Sequence, residues 1–68
     1  KQLSNREFEV FTLLVNGKSI TEIADFLHLS AKTVSTHKTR ILQKMSMNSL
    51  AEMVQYAVQH RLLSPLKN

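Results

Sequence analysis

Three times in 68 residues a serine is followed three positions later by a glutamate: Ser4-Asn5-Arg6-Glu7, Ser19-Ile20-Thr21-Glu22 and Ser49-Leu50-Ala51-Glu52. In such a capping box the serine hydroxyl accepts a backbone N–H from the first helical turn, and the glutamate reaches back to the serine N–H. Two of the donors that every helix start leaves orphaned are thereby satisfied. A single match arises often by chance, but three in so short a chain set three helix starts. Strand signals are weak beside them. No stretch alternates apolar and polar cleanly, and the only glycine, Gly17, follows Asn16 where a helix should end.

Helix 1 is expected from Asn5, with Phe8, Val10, Phe11, Leu13, Leu14 and Val15 on one broad arc and Asn5, Glu9, Thr12 and Asn16 on the other. Glu7 falls inside the apolar arc, and its place in the capping box accounts for it. Helix 2 carries Ile20, Ile23, Ala24 and Leu27 at buried-stripe spacing and ends near His28. Ser30 is a good cap for a third helix over about 31–45, whose apolar residues are Val34, Ile41, Leu42 and Met45. Helix 4 carries Leu50, Met53, Val54, Ala57, Val58 and Leu62, with Ser64-Pro65 as its stop. The expected fold class is all-α, a four-helix domain over 1–68 with no linker or repeat.

Composition narrows the function. Without cysteine there is no disulfide framework, thiolate metal site or cysteine nucleophile. No apolar run approaches the roughly 18 residues that span a bilayer, so no membrane role is expected. The three histidines are 9 and 23 positions apart, which puts no pair at i, i+4, and no metal or cofactor is expected. No nucleophile stands beside an oriented base and no glycine-rich phosphate loop exists, so the chain does not read as an enzyme. Nine Lys and Arg against five Asp and Glu favour a polyanionic partner.

The placement of those charges is more telling. Two helices joined by about three residues, with the small Ala24 on the first, describe a helix-turn-helix. From Ser30 to Lys44 the chain has Lys32, Lys38, Arg40 and Lys44 and no acid; every acid lies elsewhere. On the helix 3 wheel Val34, Ile41 and Met45 mark the buried side, while Lys32, Thr36, Thr39 and Gln43 point opposite, flanked by Ser35 and Arg40. An outward face of short hydroxyls and cations suits a helix in the DNA major groove. Serine and threonine let the backbone approach base edges, and lysine and arginine neutralise phosphates. Four to six phosphates neutralised per subunit would give a log–log salt slope of roughly −3.5 to −5.5. The runner-up is a small helical interaction module that binds an acidic protein.

Leu3 to Phe11, Gly17-Lys18-Ser19, Glu22-Ile23-Ala24, Leu29-Ser30, Lys32-Thr33-Val34, His37 and Lys44-Met45 together resemble the LuxR-type helix-turn-helix. That is the C-terminal output domain of NarL/FixJ response regulators and quorum-sensing activators. The resemblance covers nearly the whole chain. It implies a tetrahelical fold, bacterial transcription control in the cytoplasm, double-stranded DNA as partner, and homodimers through helix 4. Position by position it implies that Ser35, Thr36 and Thr39 read bases and that Lys32, Thr33, His37, Lys38 and Arg40 meet phosphates. Some members carry lysine at the matches of Ser35 and Thr39, so the bases read here stay open. Lys38 also lies beside the apolar side, where its stem can cover Val34 and Leu42. The chain is expected to be a domain of a longer regulator that has a receiver domain and can meet RNA polymerase.

The apolar positions of helix 4 span about half its circumference, more than the stripe of about 100° or somewhat more that a one-sided helix needs. A two-fold partner is expected to cover the excess, with Met53, Tyr56, Ala57 and His60 as the interface set.

Overall fold

A computed structural model describes residues 2–63, which form four helices: α1 (Asn5–Val15), α2 (Ile20–Leu27), α3 (Ala31–Lys44) and α4 (Leu50–Gln59). No strand occurs among the described residues. All four starts fall on the serines that the sequence marks. Ser4 and Ser19 close full boxes: their hydroxyls accept from the Glu7 and Glu22 N–H at 3.1 Å each. Their own N–H groups donate to the Glu7 and Glu22 carboxylates at 2.9 and 2.8 Å. Ser49 closes only half of one. It accepts from the Glu52 N–H at 3.3 Å, but the Glu52 carboxylate takes the Asn48 N–H at 2.9 Å instead. The cause is local, since Ser49 is more extended (φ −157°) than Ser4 or Ser19 (−68° and −78°), which turns its N–H away from the first turn.

One device ends all four helices, and only one of its instances is legible as a glycine. Gly17, His28, Ser46 and Arg61 each have positive φ (92°, 60°, 56° and 56°). In each case the next residue donates back across the last turn: Lys18 to Leu13, Leu29 to Ala24, Met47 to Leu42 and Leu62 to Ala57, at 2.8–3.0 Å. This is the Schellman arrangement, whose residue after the left-handed position commonly makes an apolar contact with the helix it ends. Leu29, Met47 and Leu62 fill that role, each packed partly buried against the core. Helix α4 therefore stops at Gln59 rather than continuing through Leu62. The expected stop at Ser64-Pro65 lies outside the described residues.

The core is built around α1, which packs on each of the other three helices. Val10, Phe11, Leu14 and Val15 meet Ile23 and Ala24 of α2, Val34 and Ile41 of α3, and Met53 and Ala57 of α4. Phe8 departs from its expected place in the α1 arc, being 48% exposed. The place it leaves on that side belongs to Glu7, which is buried at 3% exposure. Helix α2 lies against α3 across the short His28–Ser30 turn, so the left-handed His28 and the buried Ala24 together set how α3 is presented.

Candidate nucleic-acid interface

Helix α3 holds its position through Val34 and Ile41, both with no exposed surface. The arc opposite them carries Lys32, Ser35, Thr36, Thr39, Arg40 and Gln43, all exposed, with Thr33 exposed in the first turn. No acid and no large apolar side chain interrupts it. Two of its hydroxyls are already occupied. Thr33 accepts from the Ser30 hydroxyl at 3.0 Å and belongs to the helix cap. Thr36 donates to the Lys32 carbonyl one turn back at 3.1 Å, which spends its proton and leaves its oxygen to accept and its methyl to make apolar contact.

Lys44 belongs elsewhere. Its ammonium lies 2.7 Å from the Glu7 carboxylate of α1, 37 positions away, so its charge is matched inside the domain. The acid-free run on α3 thus offers three unpaired cations, Lys32, Lys38 and Arg40, rather than four. Sequence reasoning explained Glu7 by its cap and missed this tie. The available signal was an acid inside an apolar arc, where a buried carboxylate needs more than a helix start to satisfy it.

The Lys44 hydrogen bond, and after it the Ser4 N–H, hold the Glu7 carboxyl below the ordinary carboxylate value, with burial opposing them. A lowered folded-state value stabilises the domain above the unfolded carboxylate range and ceases to do so as pH falls through the folded value. Lys44→Met should remove most of that acid-side dependence. Thermal melts of both proteins from neutral to acid pH check this, and parallel curves would refute the link.

His37 and Lys38 are half-buried. The His37 Nδ1 is buried with no hydrogen-bond partner. The structure thus brings Ser35, Thr36 and Thr39 together on one outward surface with Lys32 and Arg40, and sets His37 and Lys38 at its edges.

The expected dimer set fares differently. Met53 and Ala57 are wholly buried among the core residues of their own chain, so neither has surface to give to a partner. Tyr56 is half-buried, with its ring edge-on to Phe11 at 6.2 Å, and the exposed His60 ring lies over it at 4.1 Å. The apolar surface that α4 does leave open is on its other flank: Leu50 at 38% exposure, the half-buried Val54, and Val58 at 57%. The wheel was broad enough to require a covered flank but could not say which flank α1 already takes.

Among the described residues no three His, Cys, Asp or Glu side chains stand close enough to hold a metal ion. No described helix is long and apolar enough to cross a membrane.

Comparison with known proteins agrees with this geometry. Residues 1–57 match the family described as bacterial regulatory proteins, luxR family. The chain is 52% identical over 60 residues to BvgA of Bordetella pertussis, a transcription regulator of virulence factors, covering 88% of this chain and 29% of BvgA. It is 49% identical over 61 residues to the fimbriae Z protein of Salmonella typhimurium, covering 90% and 29%. It is 46% identical over 61 residues to the oxygen regulatory protein NreC of Staphylococcus carnosus, covering 90% and 28%. The chain thus spans under a third of the length of these relatives. With four helices, a helix-turn-helix at their centre and these matches, the chain belongs to the luxR family of bacterial regulatory proteins, as a DNA-binding domain of transcription regulation.

Proposed function

We propose that this domain binds duplex DNA sequence-specifically, with α2 bracing α3 and α3 lying in the major groove, as the output domain of a two-component response regulator. The observation that carries the reading is the outward arc of α3, where hydroxyls and unpaired cations stand together without an acid. Ser35, Thr36 and Thr39 read bases; Lys32, Thr33, His37, Lys38 and Arg40 meet the phosphates. The domain is not an enzyme and works in the cytoplasm, where the chromosome is. In the full-length protein its companions are a receiver domain and RNA polymerase, in keeping with relatives named as transcription regulators.

Salt dependence tests the reading. With Lys44 tied to Glu7, about three phosphates per subunit are neutralised, so log affinity should fall with log salt at a slope of about −2.5 to −3.5. The acid-free run taken whole would give a steeper line. Titration of a duplex at several salt concentrations measures it, and a flat response would instead favour the protein-interaction module.

The domain acts as a two-fold dimer through α4, on the flank of Leu50, Val54 and Val58. These stand at i, i+4 and i+8, so they form one continuous apolar ridge that a second copy can cover. Val58→Glu, at an exposed site, should abolish cooperative binding to paired half-sites. Single half-site affinity and the circular-dichroism spectrum should not change. Undiminished cooperativity would remove this flank from the interface.

A further inference from the structure

Thr33, His37 and Arg40 stand at i, i+4 and i+7 on α3, one ridge lying between the buried stripe and the outward row of Lys32, Thr36, Thr39 and Gln43. The middle member is unlike its neighbours. His37 is half-buried, and its Nδ1 is the one buried side-chain nitrogen or oxygen among the described residues that lacks a hydrogen-bond partner. Its Nε2 is not so enclosed and is the only ring nitrogen that can meet a ligand.

The chemistry of the ring then fixes its state in a complex. A phosphate oxygen only accepts, so the nitrogen that touches it must carry a proton. An imidazolium would carry a second proton on Nδ1, where no acceptor exists, and an unpaired buried donor is costly. The neutral ring protonated at Nε2 satisfies both conditions and buries only a lone pair.

From this geometry we infer that His37 is an uncharged Nε2–H donor to a DNA phosphate, contributing affinity that salt does not remove. The inference rests on the reading of α3 as the DNA-facing helix. Salt weakens binding in proportion to the phosphates that cations neutralise, because each releases condensed counterions. A neutral donor releases none. Lys32, Lys38 and Arg40 therefore set the slope of the salt dependence, while His37 shifts the whole line without tilting it.

Wild-type protein, His37→Asn, His37→Gln and Lys32→Ala are titrated with one duplex across a salt series. The asparagine amide lies where Nδ1 lies, whereas the glutamine amide nitrogen reaches the place of Nε2. His37→Asn should lose about 3- to 10-fold in affinity at every salt concentration with the slope unchanged. His37→Gln should recover most of that loss. Lys32→Ala should reduce the slope by about 0.9. Nitrogen NMR of the wild-type imidazole in the complex should find Nε2 protonated and Nδ1 bare, a readout that no variant's folding can disturb. A slope that falls by about one in His37→Asn, or two protonated ring nitrogens, overturns the inference in favour of a charged contact. Affinity unchanged in His37→Asn overturns it by removing the contact. If Lys32→Ala also leaves the slope untouched, the fault lies in the DNA-facing reading of α3 and not in the ring's charge.

Discussion

Replacing Ile41 by alanine is expected to abolish DNA binding near physiological temperature, although Ile41 sits on the side of α3 turned away from the proposed duplex. Its side chain has no exposed surface and packs in the single core shared by all four helices. Truncating a buried isoleucine to alanine costs about 2–5 kcal/mol, the lost transfer energy plus the cavity left behind. At about 0.05–0.15 kcal/mol of net stability per residue, a domain of this size has about 3–10 kcal/mol in all, so the loss takes a large share of it or the whole. The denaturant midpoint should collapse with the helical circular-dichroism signal. Ile41→Val, by contrast, should cost only about 0.5–1.5 kcal/mol and keep binding. A midpoint for Ile41→Ala close to wild type would contradict the packing described for α3.

Thr36→Ala and Thr39→Ala should leave the fold alone and damage recognition. Both side chains are exposed in the middle of α3, and neither contributes to the core. Each should cost about 1–3 kcal/mol on the cognate site and relax the preference at one base pair. Lys32→Ala, in the first turn, should weaken binding to all sequences alike. The two threonines differ in one respect. Thr36 already donates to the Lys32 carbonyl, so on the proposed reading it should meet DNA through its methyl or as an acceptor. Thr39 makes no such bond and keeps its donor. Selection of binding sites from randomised duplexes, variant by variant, resolves these roles. A shifted consensus for Lys32→Ala with none for either threonine would reverse the assignment.

Helix starts were readable because a cap is a local event: Ser4, Ser19, Ser30 and Ser49 need only residues within their own first turns. Helix ends were harder. A left-handed residue is announced when it is Gly17, but His28, Ser46 and Arg61 adopt the same conformation without a sequence sign. What holds them is the apolar residue that follows, since Leu29, Met47 and Leu62 each gain burial by turning back. The buried stripe and outward arc of α3 were legible from its period. The partner of Lys44 was not, because a contact across 37 positions depends on how α1 and α3 cross. The same holds for α4. Its wheel carries apolar residues on both flanks, and only the packed structure tells that Met53 and Ala57 belong to the core while Val58 does not.

The outward arc of α3 has a consequence for how regulators of this kind diversify. Ser35, Thr39 and Gln43 lean on nothing inside the domain, and exposed substitutions of that sort usually shift stability by no more than about 0.5 kcal/mol. On the proposed reading of α3, a duplicated gene could therefore wander among target sites by changing Ser35 and Thr39, never passing through a protein that fails to fold. The boundary of that freedom is also visible: Thr33 is part of the helix cap, and Lys44 anchors α3 to α1. Between them the outward letters can be exchanged while Val34 and Ile41 stay in the core, and on the proposed reading of α3 the target would change with them.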